Sequence, residues 1–304
     1  MNYQWLYFSE NFIGEINWIK LKKFYNSSFD HDLGWEPRPN TCKKESYGFN
    51  KKGYLTFDQD GLRRDSNKIN SETEFVIFGD SYALSRQVSD ENTISHKLGK
   101  KIKGFIPNYG VGNYGIDQSY LRYMKYKKKL INKKVILIVV PETIVRMNTI
   151  WRHFHETGNT FGFKGRFFVK NQCLDYQKNP INKFINYKKY LKNKINKNNL
   201  LIKDPMFVNR FRNEVFNFKK LLLFNKNTYL KSKEFLEFKY KSKYLKSIQD
   251  YKGLSIRMKY NSQFTDLCYL NKKLTKPFEL LVKEFNNKLN NNLYIFFIPQ
   301  LSDL

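Results

Sequence analysis

Histidine, cysteine and long apolar runs are scarce in this 304-residue chain, and each scarcity excludes a class of protein. The four histidines and three cysteines have neither the spacing of a zinc site nor that of a disulfide framework. No apolar run reaches the roughly 18 to 20 residues that a membrane-spanning helix needs. The first residues lack the basic start and the small-residue cleavage site of a signal peptide. We therefore expect a cytoplasmic protein without a metal, a cofactor or a transmembrane segment.

Positive charge is abundant instead, with a formal net charge of +28 at pH 7. Such a charge raises the question of a nucleic-acid partner. However, lysine supplies most of it, whereas recognition of bases and phosphates favours arginine. The lysines are also spread along the chain, together with Asn, Ile, Tyr and Phe, whose codons are rich in A and T. We interpret the charge as a solvated lysine surface and do not expect nucleic acid as a partner; binding lost steeply with salt would argue otherwise.

Four apolar runs alternate with helical patterns and predict an α/β fold with a parallel sheet. The runs at 135–140 and 293–298 are continuous in Val, Ile, Leu and aromatic residues, which is typical of strands covered on both faces. The runs at 75–78 and 105–106 are shorter. We divide the chain into an irregular lead-in (1–70), an α/β domain (71–179 and 275–304) and a Lys/Asn-rich helical insertion or cap (180–274).

The helical patterns give expectations for single residues. Ile94, Leu98 and Ile102 recur every fourth residue and predict the buried stripe of a helix, which leaves His96 exposed. Asp117 is in position to cap the next helix. Residues 280–289 predict an amphipathic helix before the last strand.

Gly79-Asp80-Ser81 directly follows the run 75–78 and is the clearest local sign of chemistry. Ligands of open α/β sheets bind at the carboxyl ends of the strands, where this turn would lie. Glycine permits a tight turn there, and the Ser81 amide could donate to a developing oxyanion. Alternatively, Asp80 and Ser81 only cap the helix that follows.

Several blocks in order make the chain resemble the SGNH/GDSL hydrolases. A preamble of Leu33–Trp35, Pro39–Asn40 and Asp60–Arg63 precedes Gly79–Ser81, and Asn108–Gln118 follows, as in one bacterial branch of that family. The resemblance spans roughly residues 30 to 150 and implies a three-layer α/β/α sandwich with a flavodoxin-like (SGNH) sheet.

The resemblance also implies roles for individual residues. Ser81 would be the nucleophile, and the backbone at Gly112 and Asn113 would help to hold the oxyanion, although the family has glycine where Asn113 stands here. Asp80 and Arg146 are candidate substrate-binding residues. Glu142 stands at the position of a family asparagine that donates to the oxyanion, a role that an ionised carboxylate cannot fill. It would need to be protonated or turned away, or Arg146 would take over the positive role at the oxyanion. Alternatively, Glu142 and Arg146 form a local ion pair.

The base that would activate Ser81 has no counterpart in the family's usual place. The family supplies a histidine from an Asp-x-x-His stretch after the last strand, but His155 is the last histidine of this sequence. His153 or His155 could be the base, and a structural or substrate-contacting role is the alternative for both. Otherwise the chain is truncated or does not perform serine hydrolysis.

The resemblance implies an esterase or deacylase acting on an O-acyl ester, with a cell-surface carbohydrate as the preferred substrate class. Two alternatives stay open. One is a catalytically inactive SGNH-like protein that binds a glycan or a protein partner, and the other is an O-acyltransferase. For the run 161–168, rich in Phe and basic residues, we consider the wall of a pocket that binds a sugar or an acidic group, or a hairpin or loop buried through its phenylalanines.

Overall fold

The computed structural model describes residues 17–45, 53–65, 71–152, 161–192, 203–205 and 272–299. The helices in these ranges are α1 (Trp18–Ser27), α2 (Ile94–Lys101), α3 (Ile116–Tyr126), α4 (Thr143–Asn148), α5 (Phe184–Lys192) and α6 (Lys272–Lys288). The strands are β1 (Phe29–Asp30), β2 (Gly34–Trp35), β3 (Cys42–Glu45), β4 (Gly53–Thr56), β5 (Phe75–Gly79), β6 (Lys134–Val139), β7 (Arg166–Lys170), β8 (Cys173–Gln177) and β9 (Leu293–Phe297).

A parallel sheet in the order β5-β6-β9 forms the centre of the fold. Its apolar side chains are buried on both faces of β5 and on most of β6, as the lack of alternation in these runs predicts. Val76, Ile77 and Leu137 are fully inaccessible to solvent. The predicted α/β fold with a parallel sheet is therefore confirmed.

The backbone that follows α2 lies along the other edge of β5. The Ile77 amide donates to the carbonyl of Pro107 at 2.9 Å, and the Tyr109 amide donates to the carbonyl of Ile77 at 2.7 Å. The Val111 amide then donates to the carbonyl of Gly79 at 3.0 Å. This pairing is parallel and brings the residues after Val111 to the carboxyl end of β5, beside the turn that begins at Gly79.

Helices cover both faces of the sheet. On one face α3 and α6 contribute aromatic rings, and Tyr123 of α3 lies 6.1 Å from the Phe78 ring and 5.2 Å from the Phe285 ring of α6. On the other face Leu98 of α2 packs against a smaller cluster that contains Ile77. Burial of such side chains stabilises the fold by about 1.5 to 3 kcal/mol each.

The lead-in has more regular structure than its sequence predicts. Its described part contains α1 and two antiparallel hairpins, β1-β2 and β3-β4. The side-chain amide of Gln118 donates to the carbonyl of Leu33 at 2.7 Å, and Arg122 donates to the carbonyl of Gly61 at 3.2 Å. The preamble motifs are therefore held against α3. Strands of two to four residues are too short to show a periodicity, and β2 also contains a glycine, Gly34, at φ 85°.

The predicted orientation of α2 is wrong. Ile94 and Ile102 are 37% and 44% exposed, whereas Ser95 and His96 are buried. The His96 Nδ1 lies 2.8 Å from the Asp65 carboxylate, so the helix turns a polar face inward. The Asp65 carboxylate, which belongs to the lead-in, compensates the cost of burying the imidazole. The spacing of apolar residues in α2 could not reveal this contact.

Two further expectations are corrected. The helix α3 begins at Ile116 with Gly115 as its N-cap, so Asp117 lies in the first turn and does not cap the helix. The strand β9 is not covered on both faces, because Tyr294 is 46% and Phe296 is 56% exposed. The apolar run alone could not show that β9 lies outermost in the described sheet. Across the described ranges, no helix has the length and hydropathy needed to cross a membrane.

Candidate functional site

The turn after β5 depends on the absence of a side chain at Gly79. This residue has φ 140°, and a Cβ added to it would lie 1.8 Å from the carbonyl oxygen of Ile138 in the neighbouring strand. Any other residue would push β5 and β6 apart. The glycine therefore lets the chain turn sharply at the carboxyl end of the sheet and places Asp80 and Ser81 there.

Asp80 joins the ends of two strands to a helix. Its side chain is fully buried, and Oδ1 accepts a hydrogen bond of 2.8 Å from the amide of Tyr82. Oδ2 accepts from the amide of Val140 at 3.1 Å and from Nη1 of Arg146 at 3.0 Å. These internal contacts fix the turn in which Ser81 lies. A substrate contact of Asp80 stays a prediction.

Arg146 bridges Asp80 and Glu142. Its Nη2 lies 3.0 Å from the Glu142 carboxylate, and its Nη1 also donates to the carbonyl of Tyr114 at 3.3 Å. The ion pair proposed as one alternative for Glu142 is thus present, across one turn at the start of α4. Arg146 is itself buried, so its predicted contact with substrate also stays a prediction.

Ser81 is partly exposed at the end of this turn. Its carbonyl accepts a hydrogen bond of 3.2 Å from the amide of Arg86. Within the part of the chain that the structure describes, neither its hydroxyl nor its amide has a hydrogen-bond partner. Both groups therefore stay available to a ligand at the carboxyl end of β5.

The loop after Val111 adds two more amides at this end of the sheet. Gly112 faces open space, since a Cβ built on it would meet no atom of the described residues within 4 Å. Asn113 has φ 68°, a left-handed conformation that glycine adopts freely and asparagine tolerates. Position 113 therefore requires a residue that accepts this conformation, and asparagine does so. Among the described residues, neither amide of Gly112 and Asn113 has an acceptor.

A buried ion pair lies behind this site and was not predicted. Lys164 and Asp117 contact each other with about 1% of each side chain exposed, and Lys164 also donates to the carbonyl of Gly165 at 3.1 Å. Burial lowers the pKa of Lys164, and the Asp117 charge opposes that shift. Gly115 separates the pair from α4, because a Cβ there would lie 2.4 Å from Asp117 Oδ1 and 3.3 Å from the carbonyl carbon of Arg146.

Lys164 belongs to the run 161–168, whose sequence is compatible with a pocket wall and with a buried hairpin or loop. The run leads into the β7-β8 hairpin, and Phe163 and Phe167 are buried. The hairpin interpretation is therefore confirmed. The sequence offers no signal for the Lys164–Asp117 contact, because the two residues lie on different elements 47 positions apart.

Neither histidine in the described ranges bonds to Ser81. His31 is largely exposed and lies 2.9 Å from the Asp32 carboxylate, and His96 is bound to Asp65. The candidate bases His153 and His155 lie outside the described residues. The described ranges also contain no cluster of three or more His, Cys, Asp or Glu side chains with the arrangement of a metal site.

Comparison with known proteins adds no name to this site. No protein-family model matches the chain, and no curated protein matches it either. The site is therefore defined by its own geometry, a serine hydroxyl and three peptide amides at the carboxyl end of a parallel sheet. Such amides can hold a negatively charged oxygen.

Proposed function

We propose that the protein is a serine esterase or deacylase of the SGNH/GDSL type that acts on an O-acyl ester. The observation that carries this proposal is the set of unoccupied groups at the end of β5, namely the Ser81 hydroxyl and the amides of Ser81, Gly112 and Asn113. Ser81 Oγ attacks the acyl carbonyl, and the carbonyl oxygen takes up negative charge that the amides stabilise. The preferred substrate class is an O-acylated cell-surface carbohydrate.

The arrangement of the chain supports this proposal. With the segment before Val111 counted as the second strand, the strands lie in the order second, first, third and fourth, which is the start of the flavodoxin-like order. Motifs that are distant in sequence also meet at one place, because Trp35 of the preamble bonds to Gly112 of the candidate site.

The mechanism needs a group that accepts the proton of Ser81. We propose His153 or His155, which follow α4 in the chain. The imidazole takes the Oγ proton as the acyl–serine bond forms and gives it to the alcohol oxygen as the ester bond breaks. Water then attacks the acyl group, gives a proton to the imidazole and releases a carboxylic acid, and Ser81 recovers its proton.

A fluorophosphonate probe tests the nucleophile on the full chain. We expect the folded protein to be labelled and Ser81→Ala to be unlabelled. Ser89→Ala is the matched control, since Ser89 lies on the same loop after β5 and bonds to Glu91, and it should be labelled like the unmodified protein. A folded protein that resists the probe would rule out the esterase proposal.

A second candidate is an SGNH-like protein that binds a glycan or a partner without catalysis. It is favoured by the Ser81 hydroxyl, which has no imidazole or carboxylate partner among the described residues. The carboxylates of Asp80 and Glu142 also contact the Arg146 guanidinium beside this site, and a carboxylate close to a developing oxyanion would repel it. Glycan binding that survives Ser81→Ala, without labelling by the probe, would support this candidate.

An O-acyltransferase is distinguished by its products. If a sugar hydroxyl replaces water as the acceptor, acylated sugar accumulates at the expense of free acid when an ester donor and a sugar are supplied together. Release of free acid at the same rate with and without the sugar would support the hydrolase.

A further inference from the structure

We infer that Trp35 is a positioning residue for the oxyanion site, an inference that rests on the proposed esterase function. The indole Nε1 of Trp35 donates a hydrogen bond of 3.0 Å to the carbonyl oxygen of Gly112, although 77 positions separate the two residues. Trp35 belongs to the lead-in, outside the loops that form the site itself. Its contact reaches the one peptide unit whose orientation decides where the Asn113 amide points.

The geometry of the peptide unit relates the Trp35 contact to the direction of the Asn113 N–H. The unit between Gly112 and Asn113 is trans, and a trans peptide points its carbonyl and its N–H in opposite directions. A hydrogen bond that holds the Gly112 carbonyl against Trp35 therefore directs the Asn113 N–H away from the indole. The Gly112 Cα faces open space, so no side chain of its own resists rotation of this unit.

Trp35 is itself held by the residue that follows Asn113. The Tyr114 hydroxyl donates a hydrogen bond of 2.5 Å to the backbone carbonyl of Trp35, and the two rings meet edge to face with their centroids 5.8 Å apart. Tyr114 is fully buried. The hairpin and the loop thus exchange two hydrogen bonds, one on each side of Asn113 in the sequence. Rotation of the peptide unit would break the Trp35 bond.

The expected consequence is a loss of rate without a loss of binding. An amide that points at an oxyanion is used in the transition state and contributes little to the bound ground state. Removal of the Trp35 donor frees the peptide unit to rotate and lowers the fraction of molecules with Asn113 N–H in place. We expect the maximal rate of Ser81 labelling to fall about tenfold, with an unchanged probe concentration at half-saturation.

The experiment compares the full chain with Trp35→Phe, which keeps an aromatic ring and removes the donor. Labelling rates are measured over a range of fluorophosphonate concentrations, together with the unfolding temperature. Trp18→Phe in α1 is the matched control for loss of an indole elsewhere, and it should keep the original rate. If Trp35→Phe does not fold, replacement of Trp35 by benzothienylalanine keeps the shape of the indole and replaces only its N–H by sulfur.

The outcomes distinguish a failure of the positioning role of Trp35 from a failure of the esterase proposal. A slower maximal rate, with unchanged half-saturation and unfolding temperature, supports the positioning role. Equal rates in the unmodified protein and in the variant that lacks the donor overturn this inference and leave the esterase proposal intact. Parallel changes in rate, half-saturation and unfolding temperature indicate a general packing role and also overturn it. If the unmodified protein is not labelled, the esterase proposal fails first, and this inference fails with it.

Discussion

Arg146 donates a hydrogen bond of 3.0 Å to the buried carboxylate of Asp80, so a side chain of α4 neutralises the charge that fixes the turn after β5. The same guanidinium holds Glu142 at 3.0 Å. A buried carboxylate without a cation would be strongly unfavourable. The guanidinium of Arg146 therefore couples the geometry around Ser81 to α4.

Replacement of this guanidinium should destabilise the whole domain. We expect Arg146→Met to lower the free energy of unfolding by about 3 to 5 kcal/mol, because it leaves Asp80 charged and buried. Urea unfolding followed by circular dichroism measures this change. Glu142→Gln is the matched control, since it keeps the Asp80–Arg146 contact, and it should cost clearly less than Arg146→Met. Equal losses in the two variants would contradict the central role given to Asp80.

Two glycines, Gly110 and Gly112 on either side of Val111, should respond to alanine in opposite ways. At Gly112 a methyl group would enter open space, so we expect Gly112→Ala to change the free energy of unfolding by less than about 0.5 kcal/mol. The methyl would crowd the candidate site and slow fluorophosphonate labelling. At Gly110 a Cβ would lie 2.4 Å from the amide nitrogen of Leu84, so Gly110→Ala should unfold at a clearly lower temperature. If labelling is unchanged in Gly112→Ala, Gly112 does not border the probe.

The left-handed backbone at residue 113 gives a third prediction. With φ at 68°, Asn113→Gly should fold as stably as the unmodified protein, whereas Asn113→Ala should lose about 1 kcal/mol through steric strain. Urea unfolding of the two variants provides the measurement. Equal stability of the glycine and alanine variants would show that this backbone conformation is not required in solution.

A buried tyrosine should make the fold sensitive to alkaline pH. Burial raises the pKa of Tyr109 to about 12 from its ordinary value of 10, against the opposing effect of the Arg122 charge. The unfolded chain therefore releases this proton at lower pH than the folded protein does, and stability falls as pH rises from 10 to 12. Tyr109 stacks on Phe78 with ring centroids 4.7 Å apart, and Tyr109→Phe keeps the ring while it removes the titrating group.

Urea unfolding across this pH range tests the argument. The stability of the unmodified protein relative to Tyr109→Phe should decline with rising pH. A difference between the unmodified protein and Tyr109→Phe that stays constant across this pH range would mean that the Tyr109 hydroxyl is solvated in the folded protein.

The sequence predicts the sheet well because its strands are local and apolar. The runs at 75–78, 135–140 and 293–298 correspond to β5, β6 and β9, and the amphipathic pattern at 280–289 lies largely in α6. Exposure was harder to predict, since it depends on neighbours. The four-residue spacing of apolar residues in α2 gives no information about Asp65. The contact of His96 with the Asp65 carboxylate places this histidine in the interior.

The candidate site was predictable only in part. The turn at Gly79–Ser81 follows from a strand that ends in glycine, and it lies where the sequence places it. The contacts that fix this turn join residues far apart in the chain, such as Asp80 with Arg146 and Trp35 with Gly112. No periodicity or composition encodes such pairs in a single sequence. They arise only when the helices pack on the sheet.

The strand order β5-β6-β9 has a consequence for synthesis of the protein. The ribosome must release residues up to Phe297 before β9 can pair with β6, since these partners are distant in sequence. Until then β6 has a neighbour on one side only, and the apolar face that α6 will cover is open to water and to chaperones. Closure of so long a loop carries a large entropic cost, so we expect completion of this edge to be a late and slow step in folding.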